Sequence, residues 1–522
     1  MGRVHLLIMA AASLGRPVFP ADLYQVSLLP GRGEARVRFR QDGEGSAVER
    51  VYRSGDDDRT LRVELGGSYL FPASGWDRFA GSRRGPFRIE VRTRSDETVL
   101  ASGRLAGVTR HENGFSTTIW SGDHEDRGVG LFLLTSKAAP AAASFSQPRW
   151  AKEILDDVVA SLSRVFGPQP GRRPQVITLD LPLPLAKAFP GLLILDRRLA
   201  SGPMVPPAGR IATVAHEAAH LWWANHVGLE GPGAASLQEG LAEFGAARAL
   251  GDILGEASEA AHWRTLRNEY LLSSEGMVEA GISLTSGDDR PFRRAVRYAR
   301  AAWVIRMLQA RVGAQAFHLA LVRFTRAGDP LTWEKLLAAL ERLASVDLTF
   351  FRSGWVSGTG HPDLYLRTDP HTGRITAWNR GQGGGEVPVQ IRCGREGVAR
   401  TVYLSLRPGQ SRELPGVRDP GCHVEVDPQG LFLHGGSGPR PVPGLTLAAA
   451  WGHPVIRAVA PQSRAARSRL EAGDLVLEAD HEPLNEADVE KLMNMLTKRD
   501  RVHLRIRRGN VEMEKTYIGG GA

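Results

Sequence analysis

Residues 216–220 read His-Glu-Ala-Ala-His, and this pentapeptide constrains the fold more than any other part of the chain. Four residues make slightly more than one helical turn. On a helix, His216 and His220 therefore share a face, about 6 Å apart, and can both reach one metal ion. Glu217 projects beside that ion, where a carboxylate can take a proton from an attacking water. The surroundings suit a buried helix, since Ile211, Val214, Ala215, Ala218 and Ala219 are apolar and the alanines allow close packing. Alone, the motif also describes two polar residues on a helix surface. A second segment, Leu237-Gln238-Glu239-Gly240-Leu241-Ala242-Glu243-Phe244, follows with 18 residues between His220 and Glu239. Glu239 on a second helix supplies an acidic third ligand, which suits one zinc ion with its fourth position open. Glu243, one turn further on, either orients a ligating histidine or is an ordinary surface acid.

A chain of 522 residues and 56.7 kDa is too long for one core, so several domains are expected. Its 42% hydrophobic and 24% charged residues match ordinary globular protein. The net charge of +9 and pI of about 9.8 come mostly from arginine, in pieces such as Arg36–Arg38–Arg40 and Arg92–Arg94. Alternating with Val and Phe, these read as solvated faces of strands. No basic run is paired with an aromatic platform, so no nucleic-acid partner is expected. Weak attraction to anionic surfaces is compatible with the charge.

The two cysteines, Cys393 and Cys422, lie in one short β-rich stretch and are either disulfide-bonded in an oxidising compartment or two free thiols. At the N-terminus, residues 1–21 resemble a short signal segment, with Arg3 followed by the apolar run Leu6–Leu14, although Phe19 stands where a small residue is wanted before cleavage. The competing reading is a first β-strand. The protein is accordingly exported or cytoplasmic. No later run reaches the ~20 apolar residues of a transmembrane span.

Residues 1–137 alternate with period two between Gly, Asp and Ser clusters, as at Ala35–Phe39, Thr60–Leu65, Phe87–Val91 and Leu131–Leu134, which predicts an antiparallel β domain. A linker over 138–149 leads to an α-rich domain, 150–362, with a small sheet near its start (Val176–Leu179, Leu192–Leu195). Residues 366–436 return to short strands and read as a small β-sandwich. A last domain, 440–520, mixes strands with one helix near Glu486–Leu496. No internal repeat is evident.

Sequence physics alone makes Tyr298, in Arg297-Tyr298-Ala299-Arg300-Ala301-Ala302-Trp303, an ordinary residue of an amphipathic helix. The run His216–Val227, the 18-residue gap and Gln238–Phe244 resemble the gluzincin metallopeptidases of the aminopeptidase N type. Tyr298 with the following Ala-rich helix resembles that family's oxyanion-tyrosine segment, and Phe351–Leu364 is similar to its catalytic-domain end. The likeness spans roughly residues 20–436, with the strong motifs in 190–310. It implies a multidomain α+β protein: an N-terminal β domain, a thermolysin-like, mainly α catalytic domain and a small β-sandwich. It further implies Zn²⁺ on His216, His220 and Glu239, Glu217 as general base, and Tyr298 stabilising the oxyanion.

There are departures from the family pattern. A glutamate that binds the substrate's free amino group precedes the family's Pro/x-Gly-Leu. Here Leu185-Ala186-Lys187-Ala188-Phe189 precedes Pro190-Gly191-Leu192, and Ala188 stands in its place. Gln238 replaces the usual Asn, and the large helical C-terminal domain of many members is absent. Trp222 and Trp223 read as core rather than cleft, and His226 as a polar helix-end residue rather than a spare ligand.

Residues 440–520 resemble a bacterial PDZ domain through Gly444-Leu445-Thr446-Leu447, Val459–Ala465, Glu471–Leu477 and Val502–Ile506. A protease followed by such a module is similar to the glycyl aminopeptidase group. In PDZ domains the loop matching Gly444–Leu447 presents backbone N–H groups to a peptide's C-terminal carboxylate, and this loop is either that site or structural. The expected function is zinc-dependent hydrolysis of peptide bonds in a peptide or protein substrate, aminopeptidase-like but without the amino-terminus-binding glutamate. The alternatives are a non-catalytic peptide-binding scaffold using the PDZ-like domain, and a zinc hydrolase of non-peptide substrates.

Overall fold

The computed structural model describes residues 22–519 apart from 42–46, 54–60, 71–85, 123–132, 138–148, 180–185, 197–206, 275–281, 287–294, 394–398, 415–421, 435–441 and some shorter stretches. The signal-like segment 1–21 and Gly444 thus lie outside the described residues. The chain divides into two compact units, 1–144 and 145–522.

In the first unit, strands β1 (Asp22–Leu29), β2 (Glu34–Arg40), β3 (Val48–Arg53), β4 (Leu61–Glu64), β5 (Gly67–Leu70), β6 (Phe87–Arg94), β7 (Glu97–Ala101), β8 (Arg104–Arg110), β9 (Phe115–Gly122) and β10 (Leu133–Lys137) build two sheets. Their orders are β3-β2-β1-β6-β9-β8 and β4-β5-β10-β7. The period-two pattern fixes which face is inside. On β2, Val37 and Phe39 are buried while Arg36, Arg38 and Arg40 are exposed, the solvated arginine face expected from sequence. Tyr24, Val26, Val37, Ile89 and Val91 from one sheet share a core with Leu70, Val99 and Leu133 from the other. The antiparallel expectation needs one correction, because β1 pairs with β6 in parallel, Val26 opposite Val91. Four strands intervene between them, and that long connection permits a parallel neighbour that a hairpin cannot supply.

The second unit opens with α1 (Arg149–Phe166) and a sheet ordered β11-β13-β12 from β11 (Gln175–Leu179), β12 (Ala186–Phe189) and β13 (Leu192–Asp196). Helices α2 (Pro207–Ala219), α3 (Ala234–Leu254), α4 (Glu256–Ser274), α5 (Ala301–Val312), α6 (Ala314–Ala327) and α7 (Trp333–Ala344) follow. Pro207 opens α2, where a missing N–H costs nothing. Thr332 caps α7 by accepting from the Lys335 N–H. Trp333, Leu336, Leu337 and Leu340 then bury one face of α7, each side chain stabilising by roughly 1.5–3 kcal/mol. The helix carrying the pentapeptide is shorter than its pattern suggests. It ends at Ala219, and His220 begins a turn closed by 3₁₀-type bonds such as His220 N–H to Glu217 O. Trp222 and Trp223 lie in that turn, fully buried against Phe166, as core.

Strands β14 (Leu364–Thr368), β15 (Ile375–Asn379), β16 (Gly385–Cys393), β17 (Arg400–Leu406), β18 (Ser411–Glu413) and β19 (Cys422–Val426) form two three-stranded sheets, β14-β15-β18 and β17-β16-β19. They share a core of Ile375, Ala377, Val389, Ile391, Leu404 and Leu406. Cys393 and Cys422 face each other across β16 and β19 and are disulfide-bonded. This sandwich is welded to the helical core: Trp355 donates to Glu386 O, and Arg311 pairs with Glu386 at 2.9 Å.

The last segment is a sheet ordered β20-β21-β22-β24-β25, from β20 (Leu445–Ala450), β21 (His453–Val459), β22 (Leu475–Ala479), β24 (Arg501–Arg508) and β25 (Val511–Ile518), with β23 (Glu482–Pro483) paired to β22. Helices α8 (Arg464–Arg467) and α9 (Val489–Lys498) accompany it, and Leu445, Leu447, Leu492, Met493 and Ile506 lie in its own core. Among the described residues no helix is long and apolar enough to cross a membrane.

Candidate metal centre

Two consecutive helices meet at the pentapeptide. The last turns of α2 present His216 and Glu217, the turn that follows presents His220, and α3 lies alongside and presents Glu239 and Glu243. Donor atoms of His216, His220 and Glu239 all lie within 4.8 Å of one another. Glu239 Oε2 is 3.2 Å from His216 Nε2 and 3.5 Å from His220 Nε2. Two imidazoles and a carboxylate converging on one point are a donor set that could hold a zinc ion.

The electrostatics agree. Burial alone would push the carboxyls up, but the imidazoles outweigh it. His220 and His216 hold Glu239 below the usual carboxylate range, and His216 and His262 hold Glu243 well below it. Burial likewise disfavours charge on His216, yet Glu243 and Glu239 raise it well above the ordinary imidazole value. Two buried carboxylates thus stabilise positive charge at the centre of the cluster, which suits a divalent cation.

Glu217 is half-buried, and its carboxylate makes no hydrogen bond or ion pair among the described residues. Tyr298 reaches the same place from a π-turn, Val296–Arg300, that runs directly into α5. Such a turn inserts one extra residue and re-aims the side chains it carries. The Tyr298 ring stacks on His216, centroids 5.9 Å apart and planes 14° from parallel. The structure therefore brings together His216, His220, Glu239, Glu243 and Tyr298 of the predicted cluster, with Glu217 next to His216 on the same helix. His226 stays away, engaged with Thr325 O at 2.8 Å.

Two features escaped sequence reasoning. The π-turn leaves the helical periodicity around Tyr298 nearly unchanged. His262, on α4, lies 3.1 Å from Glu243 Oε2, and no motif or spacing marks it. Ala188 lies on β12, almost fully buried and packed into the helical core.

The paired helices and their donor set resemble the gluzincin arrangement expected from the motifs. Residues 205–355 match the profile described as "Peptidase family M1 domain", so the resemblance carried by the motifs is borne out. The chain is 28% identical over 246 residues to Aminopeptidase M1-B of Oryza sativa subsp. japonica, which covers 42% of this chain and 27% of the rice protein. It is 27% identical over 219 residues to Aminopeptidase M1 of Arabidopsis thaliana, covering 38% of this chain and 24% of that one. It spans about a quarter of the length of these curated relatives. In fold it is similar to a crystal structure of Legionella pneumophila aminopeptidase A in complex with aspartic acid, with a TM-score of 0.58 and 15% identity. That likeness covers 78% of this chain and 58% of the Legionella one.

Proposed function

We propose that the protein is a zinc-dependent metallopeptidase whose metal is held by His216, His220 and Glu239. The observation that carries this reading is the convergence of those three side chains with Tyr298 inside the M1-like segment, where Glu217 follows His216 directly. Zinc bound there supplies Lewis acidity toward the scissile carbonyl and lowers the pKa of water. Glu217 takes the proton of the attacking water and passes it to the leaving amine nitrogen as the C–N bond breaks. The Tyr298 hydroxyl donates to the carbonyl oxygen as negative charge builds on it. Glu243 orients His216.

Ala188 sets the substrate class. Its methyl group, packed against the helical core, offers nothing to a substrate ammonium. β12 is an edge strand of its sheet, so an extended substrate can pair with it along its length. The protein thus cleaves without requiring a free amino terminus. The terminal segment is read as a PDZ-like module, with Leu445, Thr446 and Leu447 at the start of β20 and a peptide carboxyl terminus as its ligand.

The test is mass spectrometry of a peptide library, free and N-acetylated, incubated with zinc-loaded protein and with Glu217→Gln. Equal cleavage of both peptide sets by wild type alone is expected. Stepwise loss of residues from free amino termini only would restore an aminopeptidase. No cleavage above the Glu217→Gln control would remove the peptidase reading.

A further inference from the structure

Glu243 has two carboxylate oxygens and two imidazole neighbours, one for each. Oε1 lies 3.2 Å from Nδ1 of His216, and Oε2 lies 3.1 Å from Nε2 of His262. The three groups come from three helices, α2, α3 and α4, and their side chains are only 13%, 17% and 16% exposed. The outer contact is a hydrogen bond, whereas the inner one is short but not aligned as a straight hydrogen bond. The geometry points to His262 as a positioning residue. By holding Oε2, it keeps Oε1 turned toward Nδ1 of His216, so that Nδ1 carries the proton and Nε2 faces His220 and Glu239. This inference rests on the metal site proposed above.

The physical argument is one of rotational freedom. A glutamate anchored only at its own backbone can turn its carboxylate about the last side-chain bond. A buried carboxylate oxygen without a donor also drives it to turn toward water. His262 removes both freedoms by fixing one oxygen from a helix that packs on α3. Neutral imidazole has one N–H and one lone pair, and an acceptor held at Nδ1 selects the form whose Nε2 lone pair is available to a metal. The Nδ1 atoms of both ligating histidines are buried without an aligned hydrogen bond among the described residues, but that of His216 has the Glu243 carboxylate 3.2 Å away, whereas the carboxylate paired with His220, Glu239, lies on its Nε2 side. His216 is thus the ligand whose orientation the protein specifies, and His262 is the end of the chain that specifies it. The competing view makes His262–Glu243 an ordinary interhelical hydrogen bond, which predicts lost stability and unchanged metal affinity.

The experiment measures zinc affinity of the full-length protein by competition with a chromophoric chelator, alongside thermal unfolding of the metal-free form. His262→Leu fills similar space without a donor, and His262→Asn is too short to reach Glu243. Both are expected to weaken zinc binding about 10- to 100-fold. His262→Gln, whose side-chain N–H₂ can reach Oε2, is expected to restore most of it. If His262→Leu does not fold, the Asn and Gln variants decide. Wild-type affinity in the Leu or Asn variant, or no difference between Asn and Gln, would overturn the role of His262 while leaving the metal site standing. Failure of the wild-type protein to bind zinc would remove the metal site itself.

Discussion

Gly240 follows the proposed third ligand directly, and its missing side chain sets how closely α3 approaches the segment bearing Tyr298. A Cβ added there would sit 2.8 Å from Ala301 Cβ and 2.9 Å from both Ala301 C and Ile305 Cδ1. Ordinary carbon contacts lie at about 3.5–4.0 Å, so Gly240→Ala requires roughly 0.7 Å of separation. Ile305 can rotate aside. The Ala301 backbone carbon cannot, so the helices themselves must move apart. Overpacking of this kind costs about 1–3 kcal/mol, and replacing glycine by alanine inside a helix returns about 1 kcal/mol. The net loss is about 0–2 kcal/mol, a few degrees in thermal midpoint. Catalysis is far less forgiving, because Glu239 precedes Gly240 and the Tyr298 turn ends at Ala301. The wedge therefore separates ligand from oxyanion donor, and misplacement of about 1 Å costs on the order of 100-fold. We expect kcat/KM to fall roughly 10- to 100-fold, measured by peptide hydrolysis at matched zinc content, with calorimetry giving the midpoint. A variant that is both fully active and about 1 kcal/mol more stable, as helix propensity alone predicts, would refute the reasoning.

Other changes probe separate parts of the molecule. Tyr298→Phe should lower kcat by about 10²–10³ with little change in KM or zinc content, as loss of one oxyanion donor does, and equal kcat would remove Tyr298 from the mechanism. His361 is pushed down to about 4 by burial, with Arg300, His434 and Arg267 adding to it. The unfolded chain therefore binds the extra proton between about pH 6.5 and 4, and stability falls by roughly 1–3 kcal/mol as pH drops through that window. His361→Gln should flatten that slope in urea titrations at pH 7 and 4.5, and a slope equal to wild type would count against it. Reducing Cys393–Cys422, which are 29 residues apart, should destabilise the sandwich by about 3–4 kcal/mol, read as a lower midpoint with reductant that Cys393→Ser reproduces.

The sequence by itself determined the elements and the identity of the central cluster. Two histidines four residues apart, an acid on the next helix and a run of alanines leave few ways to pack, and one turn of spacing brings the two histidines together. The same local physics placed β2 with its arginines outward and Trp222 and Trp223 inside. What spacing along the chain cannot encode is what approaches from elsewhere. The parallel pairing of β1 with β6 depends on where residues 65 positions apart come to rest, and the π-turn under Tyr298 leaves no mark in the helical spacing around it. The state of Cys393 and Cys422, left open by composition, follows from the register of β16 on β19. His262 belongs to α4, where nothing local distinguishes it from any exposed helical histidine. Only the packing of α4 on α3 brings it to Glu243, because a hydrogen bond between helices is a property of their three-dimensional contact.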